Sequence, residues 1–323
     1  MRAVVLDGFG EVNVMSVGEV PTPVPGPDEV LVRVEGAGVN RADLLQRRGF
    51  YPPPKGASET LGLEVSGHIS AVGQGVTNWA VGSPVVALLA GGGYADQVAV
   101  PAGQCAPPPK GVDLVDAGGL IEVAATVVSN FDHVRLAEGE TVLVHGGAGG
   151  IGSFAIPYAK TIGVQVITTV GSAAKADYAR SIGADVAIDY HQAWPEAVQQ
   201  ATGGRGVDAV LDIIGAKYLE DNVKVLARGG RLVVIGLQGG TKGTLDLNRL
   251  LGKGATVTAT SLRFRPVAGK AAIVSKVASL VWPKITDGTI PLPPISRFAL
   301  EEVAAAHRLL ESGGNTGKIV LTL

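Results

Sequence analysis

Cysteine is nearly absent from this 323-residue sequence, in which Cys105 is the only one. One cysteine cannot form an intrachain disulfide, and it cannot provide the four thiolates of a structural zinc site. The apolar run at the N-terminus ends at Asp7 and Gly8, too early for the hydrophobic region of a signal peptide. We therefore expect a protein of the cytoplasm, where thiols stay reduced.

An excess of positive charge is also missing, because the net charge is −2 and the sequence pI is about 6.2. A chain without a basic stretch offers no electrostatic surface to a nucleic acid or to an anionic membrane. No uninterrupted apolar run reaches the ~18 residues of a membrane-spanning helix. We therefore expect no nucleic-acid partner and no membrane, and a small molecule as the substrate.

Glycine is abundant, with 46 residues, and apolar side chains make up 46% of the chain. This length and composition predict a globular protein of two domains. In the first ~120 residues, short strand-like runs are separated by Gly and Pro, which predicts an all-β unit. From about Glu122, strand-like runs alternate with helical runs, which predicts an α/β unit with a doubly wound parallel sheet.

The predicted elements follow from the apolar pattern and from the positions of Gly and Pro. Helices are predicted at about 152–162, 175–182 and 269–285. Strands are predicted at 30–34, 65–72, 84–89, 141–145, 164–170, 186–189, 209–213, 231–236, 255–261 and 318–323.

A glycine-rich segment follows the predicted strand at 141–145 and reads His145-Gly-Gly-Ala-Gly-Gly-Ile-Gly152. Gly147, Gly149 and Gly152 have the spacing G-x-G-x-x-G. Between a strand and a helix, this spacing is the fingerprint of a dinucleotide-binding turn, in which the backbone approaches the pyrophosphate. The helix N-terminus adds free N–H groups and a positive dipole end, so Gly150 and Ile151 are candidate contacts as well.

The second predicted strand of this unit ends without an acidic residue. An enzyme that uses NAD usually has Asp or Glu there, about 20 residues after the glycine loop, to bind the ribose 2′-hydroxyl. This sequence has Thr169-Val-Gly-Ser-Ala-Ala-Lys175 instead. Gly171 and Ser172 leave room for a 2′-phosphate, Lys175 supplies a positive charge, and Tyr190 can reach the adenosine end. The sequence therefore predicts NADPH as the cofactor. The alternative is that Lys175 is an ordinary surface lysine and Tyr190 a packing residue.

Four segments resemble the medium-chain dehydrogenase/reductase superfamily in their order and spacing, over essentially the whole chain: 40–43, 62–68, 145–152 and 315–320. Within that superfamily, the chain is most similar to the zinc-free, zeta-crystallin-like NADPH:quinone oxidoreductase family. The loops at 46–54 and 88–93 resemble those of its tumour-suppressor-induced subgroup.

The resemblance implies an α/β protein that combines a GroES-like β-barrel catalytic domain with a Rossmann doubly wound parallel-sheet cofactor domain. The expected division assigns residues 1–122 and 263–323 to the catalytic domain and residues 123–262 to the cofactor domain. It also implies a cofactor cleft between the domains, NADPH as the cofactor, and a homodimer or homotetramer.

The resemblance further implies that the zinc ligands of metal-dependent relatives are replaced. Those relatives have a Cys ligand within Gly-Val-Cys-x-x-Asp, where this chain has Gly38-Val-Asn-Arg-Ala-Asp43. They also have a His ligand within Gly-His-Glu, where this chain has Gly62-Leu-Glu64. With Asn40 and Leu63 at the two ligand positions, we expect no metal.

A site without a metal suits some hydride acceptors better than others. Reduction of a simple ketone produces an alkoxide, which needs a Lewis acid or a strong proton donor. Reduction of a quinone produces a phenolate-like anion whose conjugate acid has a pKa near ~10 on the tyrosine scale. Orientation in a dry, shaped cleft then suffices. Quinones are therefore the expected substrates, or enones that accept the hydride at a β-carbon.

Asn40, Tyr51 and Thr126 are the expected catalytic residues around the nicotinamide and the substrate. Asn40 can bond an acceptor oxygen or the nicotinamide ribose. Tyr51 can stack on a planar quinone or hydrogen-bond to it, or it can simply pack against the prolines that follow. Thr126 lies where relatives place a threonine against the nicotinamide. The remaining expected cofactor contacts are Gly236, Leu237, Leu262, Asn315, Gly317 and Lys318.

Two alternatives stay open beside an NADPH:quinone reductase. The first is an NADPH-dependent enone or enoyl-thioester reductase of the same superfamily. A coenzyme A thioester would favour a basic surface patch, for which the candidates are Arg47, Arg48, Lys55, Arg263 and Arg265. The second alternative is a non-catalytic NADPH-binding protein, such as a redox sensor.

Overall fold

The computed structural model describes residues 1–323, which form two compact units. The first unit comprises residues 1–125, 262–288 and 292–323, and the second comprises residues 126–261 and 289–291. The strands are β1 (Arg2–Leu6), β2 (Met15–Glu19), β3 (Glu29–Val39), β4 (Glu64–Val72), β5 (Pro84–Leu88), β6 (Gln97–Pro101), β7 (Cys105–Ala106), β8 (Thr141–His145), β9 (Gln165–Val170), β10 (Val186–Asp189), β11 (Val207–Asp212), β12 (Leu226–Val234), β13 (Thr256–Ala259), β14 (Ile295–Ala299) and β15 (Lys318–Thr322).

The helices lie mostly in the second half of the chain. The α-helices are α1 (Arg41–Arg47), α2 (Leu114–Ala117), α3 (Ile121–His133), α4 (Gly150–Thr161), α5 (Ala173–Ser181), α6 (Trp194–Ala201), α7 (Leu219–Val225), α8 (Leu247–Lys253), α9 (Val267–Leu280), α10 (Trp282–Thr286) and α11 (Val303–Glu311). Short 3-10 turns lie at Val12–Val14, Ala102–Gln104, Ala216–Tyr218 and Leu300–Glu302.

The second unit is built on a six-stranded sheet with the order β10-β9-β8-β11-β12-β13. Every pair of neighbouring strands in it is parallel. Counted from β8, this is the order 3-2-1-4-5-6 of the Rossmann fold. All five residues of β8 are buried, as expected for a central parallel strand covered on both faces. The doubly wound parallel sheet predicted from the alternating pattern is confirmed.

The first unit contains a seven-stranded mixed sheet in which β15 lies between β14 and β3. β15 pairs antiparallel with β3, with Ile319 opposite Val39 and Thr322 opposite Gly36. The last strand of the chain therefore returns to the unit that contains the first residues, as expected. The pairing brings Lys318 beside the end of β3, where Asn40 follows in the chain.

The helices were predicted less well than the strands. The single helix predicted at about 269–285 is wrong, because α9 ends at Leu280 and α10 begins at Trp282. Pro283, at the second position of α10, has no N–H and cannot continue the hydrogen-bond ladder of α9. Helices α1, α6, α7, α8 and α11 were not predicted, because each is only seven to nine residues long and shows few turns of the helical period. The 13-residue helix α3 was not predicted either, although it is longer than these.

One helical stretch, residues 114–133, is long and apolar enough to cross a membrane by length and composition. In the folded protein, 78% of its apolar window is buried. A core helix of a globular unit has these same properties, and α3 packs here as part of the interior.

Candidate active site

The glycine loop of the second unit connects β8 to α4. A Cβ atom at Gly147 would lie 2.2 Å from Thr168 Oγ1, and one at Gly152 would lie 2.4 Å from the backbone oxygen of Gly146. These two glycines are therefore required by the close approach of β9 and by the tight turn itself. At Gly149 the nearest atom to an added Cβ is 3.6 Å away, so this position faces open space.

The open space lies at the N-terminus of α4, a 12-residue helix that begins at Gly150. No side chain caps this end, because the N-cap residue is Gly149. The N–H groups of Gly150, Ile151 and Gly152 cannot bond within the helix and are available to an anion. The loop therefore has both the space and the donors that a pyrophosphate requires.

His145 holds the base of this loop, a function that the sequence analysis did not assign. Its ring is fully buried, with Nδ1 2.9 Å from Thr169 Oγ1 and Nε2 2.7 Å from Asn222 Oδ1. Because Asn222 Oδ1 can only accept, Nε2 carries the proton and Nδ1 accepts from the Thr169 hydroxyl. Burial lowers the pKa of His145 to about 4, against the opposing effect of the Asn222 hydrogen bond. The signal in the sequence was a histidine at the end of the strand, directly before the glycines.

The segment after β9 contacts Tyr190, and the assignment of both to the adenosine end of the cofactor stays a prediction. A Cβ at Gly171 would lie 2.4 Å from the Tyr190 hydroxyl, so a larger residue there would require the Tyr190 side chain to move. Ser172 is the N-cap of α5, and its Oγ accepts from the N–H of Lys175 at 3.3 Å. The Ser172 side chain and the 42%-exposed ring of Tyr190 both face solvent. A phosphate is thus offered a hydroxyl, a helix N-terminus and a lysine without a neighbouring carboxylate in residues 171–176.

Asn40 and Lys318 of the first unit are brought together around Glu64. The Lys318 ammonium donates to Glu64 Oε1 and to Asn40 Oδ1, both at 2.7 Å, and more weakly to the Val39 carbonyl at 3.4 Å. The Asn40 amide Nδ2 donates to Glu64 Oε1 at 2.9 Å. All three side chains are buried, with exposed fractions of 8%, 3% and 0% for Asn40, Lys318 and Glu64.

This cluster is fixed further by its backbone. Glu64 Oε2 accepts from the N–H of Glu122 at 2.9 Å. Gly38 provides the space for the carboxylate, because a Cβ there would lie 2.2 Å from Glu64 Oε1. All three N–H donors of the Lys318 ammonium are bonded to protein groups. Its contact with the cofactor stays a prediction, and that contact would replace one of these three bonds.

Asp43, in the first turn of α1, anchors the segment that presents Asn40. Its fully buried carboxylate accepts from the N–H of Asn40 at 2.8 Å, from the N–H of Gly62 at 3.1 Å and from the Tyr94 hydroxyl at 3.0 Å. Burial raises the pKa of Asp43 to about 6, although these three hydrogen bonds act in the opposite direction.

Tyr51 lies in the first unit beside two residues that follow β13. Its ring is 5.3 Å from the Arg263 guanidinium and 5.5 Å from the Phe264 ring, which meets it edge-on at 84°. Arg263 is only 4% exposed and Arg47 is fully buried. The prediction that these two arginines belong to a basic surface patch is therefore wrong, because their guanidinium groups are used inside the unit.

The other predicted residues are distributed between the two units. In the second unit, Thr126 is buried in α3 and its carbonyl accepts from Asn130 Nδ2 at 2.8 Å, while Gly236 and Leu237 follow β12. In the first unit, Leu262 follows β13, and Asn315 Nδ2 donates to the Gly317 carbonyl at 3.1 Å. The assignment of all these residues to the cofactor or substrate stays a prediction.

The two positions that hold zinc ligands in metal-dependent relatives have different environments here. Leu63 is an apolar side chain that cannot bind a metal ion, and only 3% of its surface is exposed. At Asn40, the Lys318 ammonium is 2.7 Å from the side-chain oxygen, and a second cation there would be repelled. No three His, Cys, Asp or Glu side chains of the chain come together as a metal site would require.

Two family models match this chain. Residues 26–110 match the alcohol dehydrogenase GroES-like domain, and residues 150–273 match the domain described as zinc-binding dehydrogenase. The first match lies in the unit with the mixed sheet. The second match begins at the first residue of α4, after most of the glycine loop, and includes strands β9 to β13 of the parallel sheet.

Several known proteins are similar over nearly the whole chain. A quinone oxidoreductase of Pseudomonas aeruginosa is 34% identical, and the alignment covers 97% of each protein. A mycocerosic acid synthase-like polyketide synthase of Mycolicibacterium smegmatis is 30% identical over 100% of this chain, but this chain spans only 15% of that much longer protein. The structure of Escherichia coli quinone oxidoreductase complexed with NADPH superimposes with a TM-score of 0.90, at 27% identity and full coverage of both proteins. The chain thus belongs to the quinone oxidoreductase family of the medium-chain dehydrogenase/reductase superfamily.

Proposed function

We propose that this protein is a metal-independent oxidoreductase that transfers a hydride from NADPH to quinones. Two features of the structure carry the proposal. The first is an open glycine loop, with no carboxylate in the segment that follows β9. The second is Asn40, which occupies the position of a zinc ligand in metal-dependent relatives and is hydrogen-bonded to the Lys318 ammonium. The Pseudomonas aeruginosa and Escherichia coli relatives support the choice of quinones, since both have the name quinone oxidoreductase.

The chain's own residues would bind and orient the cofactor. The N–H groups of Gly150, Ile151 and Gly152 bind the pyrophosphate, and Ser172 and Lys175 bind the 2′-phosphate. NADPH, when bound, supplies the hydride, and no protein nucleophile is needed. The absence of a carboxylate after β9 disfavours NADH, because nothing would bind its ribose 2′-hydroxyl in the usual way.

The acceptor side of the reaction needs little electrophilic help. A quinone leaves the hydride transfer as a phenolate-like anion, with a conjugate-acid pKa near ~10. Tyr51 offers a ring face to such an acceptor, and the hydrogen bonds with Glu64 and Lys318 hold the Asn40 side chain in a fixed position. Holding the two reactants in a fixed orientation can remove a large part of the activation free energy of hydride transfer.

Reduction of an enone or an enoyl thioester is the second candidate function. The polyketide synthase relatives favour it, and one of them is described as highly reducing. A reductase segment inside such a synthase would act on a chain held as a thioester. The cytoplasmic location and the homodimer or homotetramer expected from the sequence stay predictions.

The proposal is tested by following NADPH absorbance with a panel of ortho- and para-quinones, 3-penten-2-one as an enone, crotonyl coenzyme A, and a simple ketone. We expect the protein to oxidise NADPH when quinones are present. The rate should stay the same when a chelator is added, and NADH should not replace NADPH. Turnover confined to the enone and the thioester would put the second candidate first. Tight NADPH binding without turnover of any acceptor would indicate the non-catalytic, sensor-like alternative.

A further inference from the structure

Arg263 is a buried cation whose hydrogen bonds all go to neutral oxygens. Its Nε donates to the Ala90 carbonyl at 2.8 Å, its Nη1 to the Tyr51 carbonyl at 3.1 Å, and its Nη2 to Gln46 Oε1 at 2.7 Å. Burial lowers the pKa of its guanidinium, and Asp43 and Tyr51 oppose this effect. A buried charge without a hydrogen-bonded carboxylate is expensive, and an apolar side chain would fill the same space more cheaply.

The three bonds tie together three separate segments of the first unit. Gln46 is in the last turn of α1, and its Nε2 in turn donates to the Glu59 carbonyl at 2.8 Å. Ala90 precedes Gly91, where an added Cβ would lie 2.4 Å from the backbone of residue 58. One planar guanidinium thus fixes the end of α1, the Tyr51 segment and the loop at 89–93 relative to each other.

The ring of Tyr51 is held by the same segment of chain. The Arg263 guanidinium lies 5.3 Å from the ring centre, within the range of a cation–π contact, and Phe264 contacts it edge-on. Phe264 is itself 52% exposed, so a large part of its ring remains open to solvent beside Tyr51. Tyr51 precedes Pro52, and the chain on its other side turns at Gly49 with a φ of 80°.

We propose that Arg263 is a positioning residue, which fixes Tyr51 so that the Tyr51 and Phe264 rings form a rigid wall for flat, aromatic acceptors. This inference rests on the proposed function and specifies the class of substrate that the site prefers. A ring that is held in place loses little entropy when a planar molecule stacks on it. A small aliphatic enone presents no flat ring to stack, and it gains little from the wall.

A double-mutant cycle separates this role from simple stabilisation. The variants are Arg263→Met, which keeps the length of the side chain without its donors or charge, Tyr51→Ala, and the double variant. Arg265→Met is the matched control, because Arg265 lies two residues away and its side chain makes no hydrogen bond or ion pair in the structure. The acceptors are 1,4-naphthoquinone, the aromatic enone 4-phenyl-3-buten-2-one and the aliphatic enone 3-penten-2-one.

We expect Arg263→Met to raise KM for both aromatic acceptors about tenfold, the size of one lost stacking or cation–π contact, and KM for 3-penten-2-one less than about twofold. In the Tyr51→Ala background the same substitution should change the aromatic KM values less than about twofold. Equal effects on the three acceptors, or an undiminished effect without Tyr51, would overturn the inference. If Arg263→Met does not fold, Arg263→Lys is tested in the same cycle. It keeps the positive charge but lacks the planar guanidinium group with its several N–H donors.

Two further readouts separate failure of this inference from failure of the proposed function. If the wild type does not reduce naphthoquinone but does reduce enones, the proposed function is wrong, and the two enones still measure the aromatic preference. Tryptic cleavage at the exposed Lys55 reports the order of the Tyr51 segment without any turnover. Arg263→Met should accelerate this cleavage and Arg265→Met should not; unchanged cleavage would contradict the positioning role.

Discussion

Replacement of Lys318 by Met should destabilise the first unit far more than replacement of any exposed lysine. The ammonium is 3% exposed and lies 2.7 Å from Glu64 Oε1 and from Asn40 Oδ1. Methionine removes the positive charge and the three donors but nearly preserves the length of the side chain. The Glu64 carboxylate would then be buried with only the Asn40 amide and the Glu122 N–H as donors.

The size of the effect follows from this burial. Removal of one partner of a buried ion pair costs about 3–5 kcal/mol, because an uncompensated charge is left in the interior. For a unit of about 150–250 residues, each kcal/mol lowers the unfolding midpoint by about 2–4 °C. The expected decrease is therefore about 6–20 °C for the first unit, with little change in the second.

The tryptophans allow the two units to be followed separately. Trp79 and Trp282 lie in the first unit and Trp194 in the second, and the chain has three in total. In a Trp194→Phe background, tryptophan fluorescence during heating reports the first unit alone. Arg297→Met, which breaks exposed ion pairs with Asp113 and Asp116 in the same unit, is the control and should lower the midpoint only slightly.

The double variant Lys318→Met/Glu64→Gln decides whether the loss comes from the charge pair. Each single substitution leaves one buried charge, whereas the double variant leaves none. We expect the double variant to be at least about 2 kcal/mol more stable than the sum of the two single effects. Additive effects, or a Lys318→Met midpoint within about 3 °C of the parent, would refute the reasoning from burial.

Three further predictions concern the second unit. Gly147→Ala should weaken NADPH binding about tenfold or more in a fluorescence titration, since the new Cβ would lie 2.2 Å from Thr168 Oγ1 and displace the loop; unchanged affinity would contradict this. Lys175→Ala should lower kcat/KM for NADPH about tenfold and leave that for NADH unchanged, and an equal loss for both would argue against a 2′-phosphate contact. His145 has a folded pKa of about 4, below its ordinary value of 6.5, so the unfolded chain binds more protons between these values. Neutral His145 therefore contributes its full share to the free energy of unfolding above about pH 6.5, and this share is lost as the pH falls towards 4. In His145→Gln, the free energy of unfolding measured with urea should lack this dependence on pH.

Local patterns were sufficient for much of the fold and for one half of the site. The buried run of β8, the glycines after it and the start of α4 all lie between residues 141 and 152, so their relation is fixed by chain geometry. The missing carboxylate after β9 could be read in the same way, because that position follows directly from the strand. Short helices such as α1 and α11 could not be predicted, since two turns give too little periodicity and tertiary packing stabilises them.

The sequence by itself determined the alternation of strands and helices, the glycine loop, and the residue types at the two positions that hold zinc ligands in metal-dependent relatives. Only the tertiary structure decided which side chains these residues contact. Lys318 is 254 positions from Glu64, and Arg263 is 217 positions from Gln46, yet each pair is in hydrogen-bond contact. Such pairs form because β15 returns to β3 and because the chain after β13 re-enters the first unit. No local pattern encodes these contacts, since a buried charge selects its partner through burial and geometry rather than through spacing along the chain.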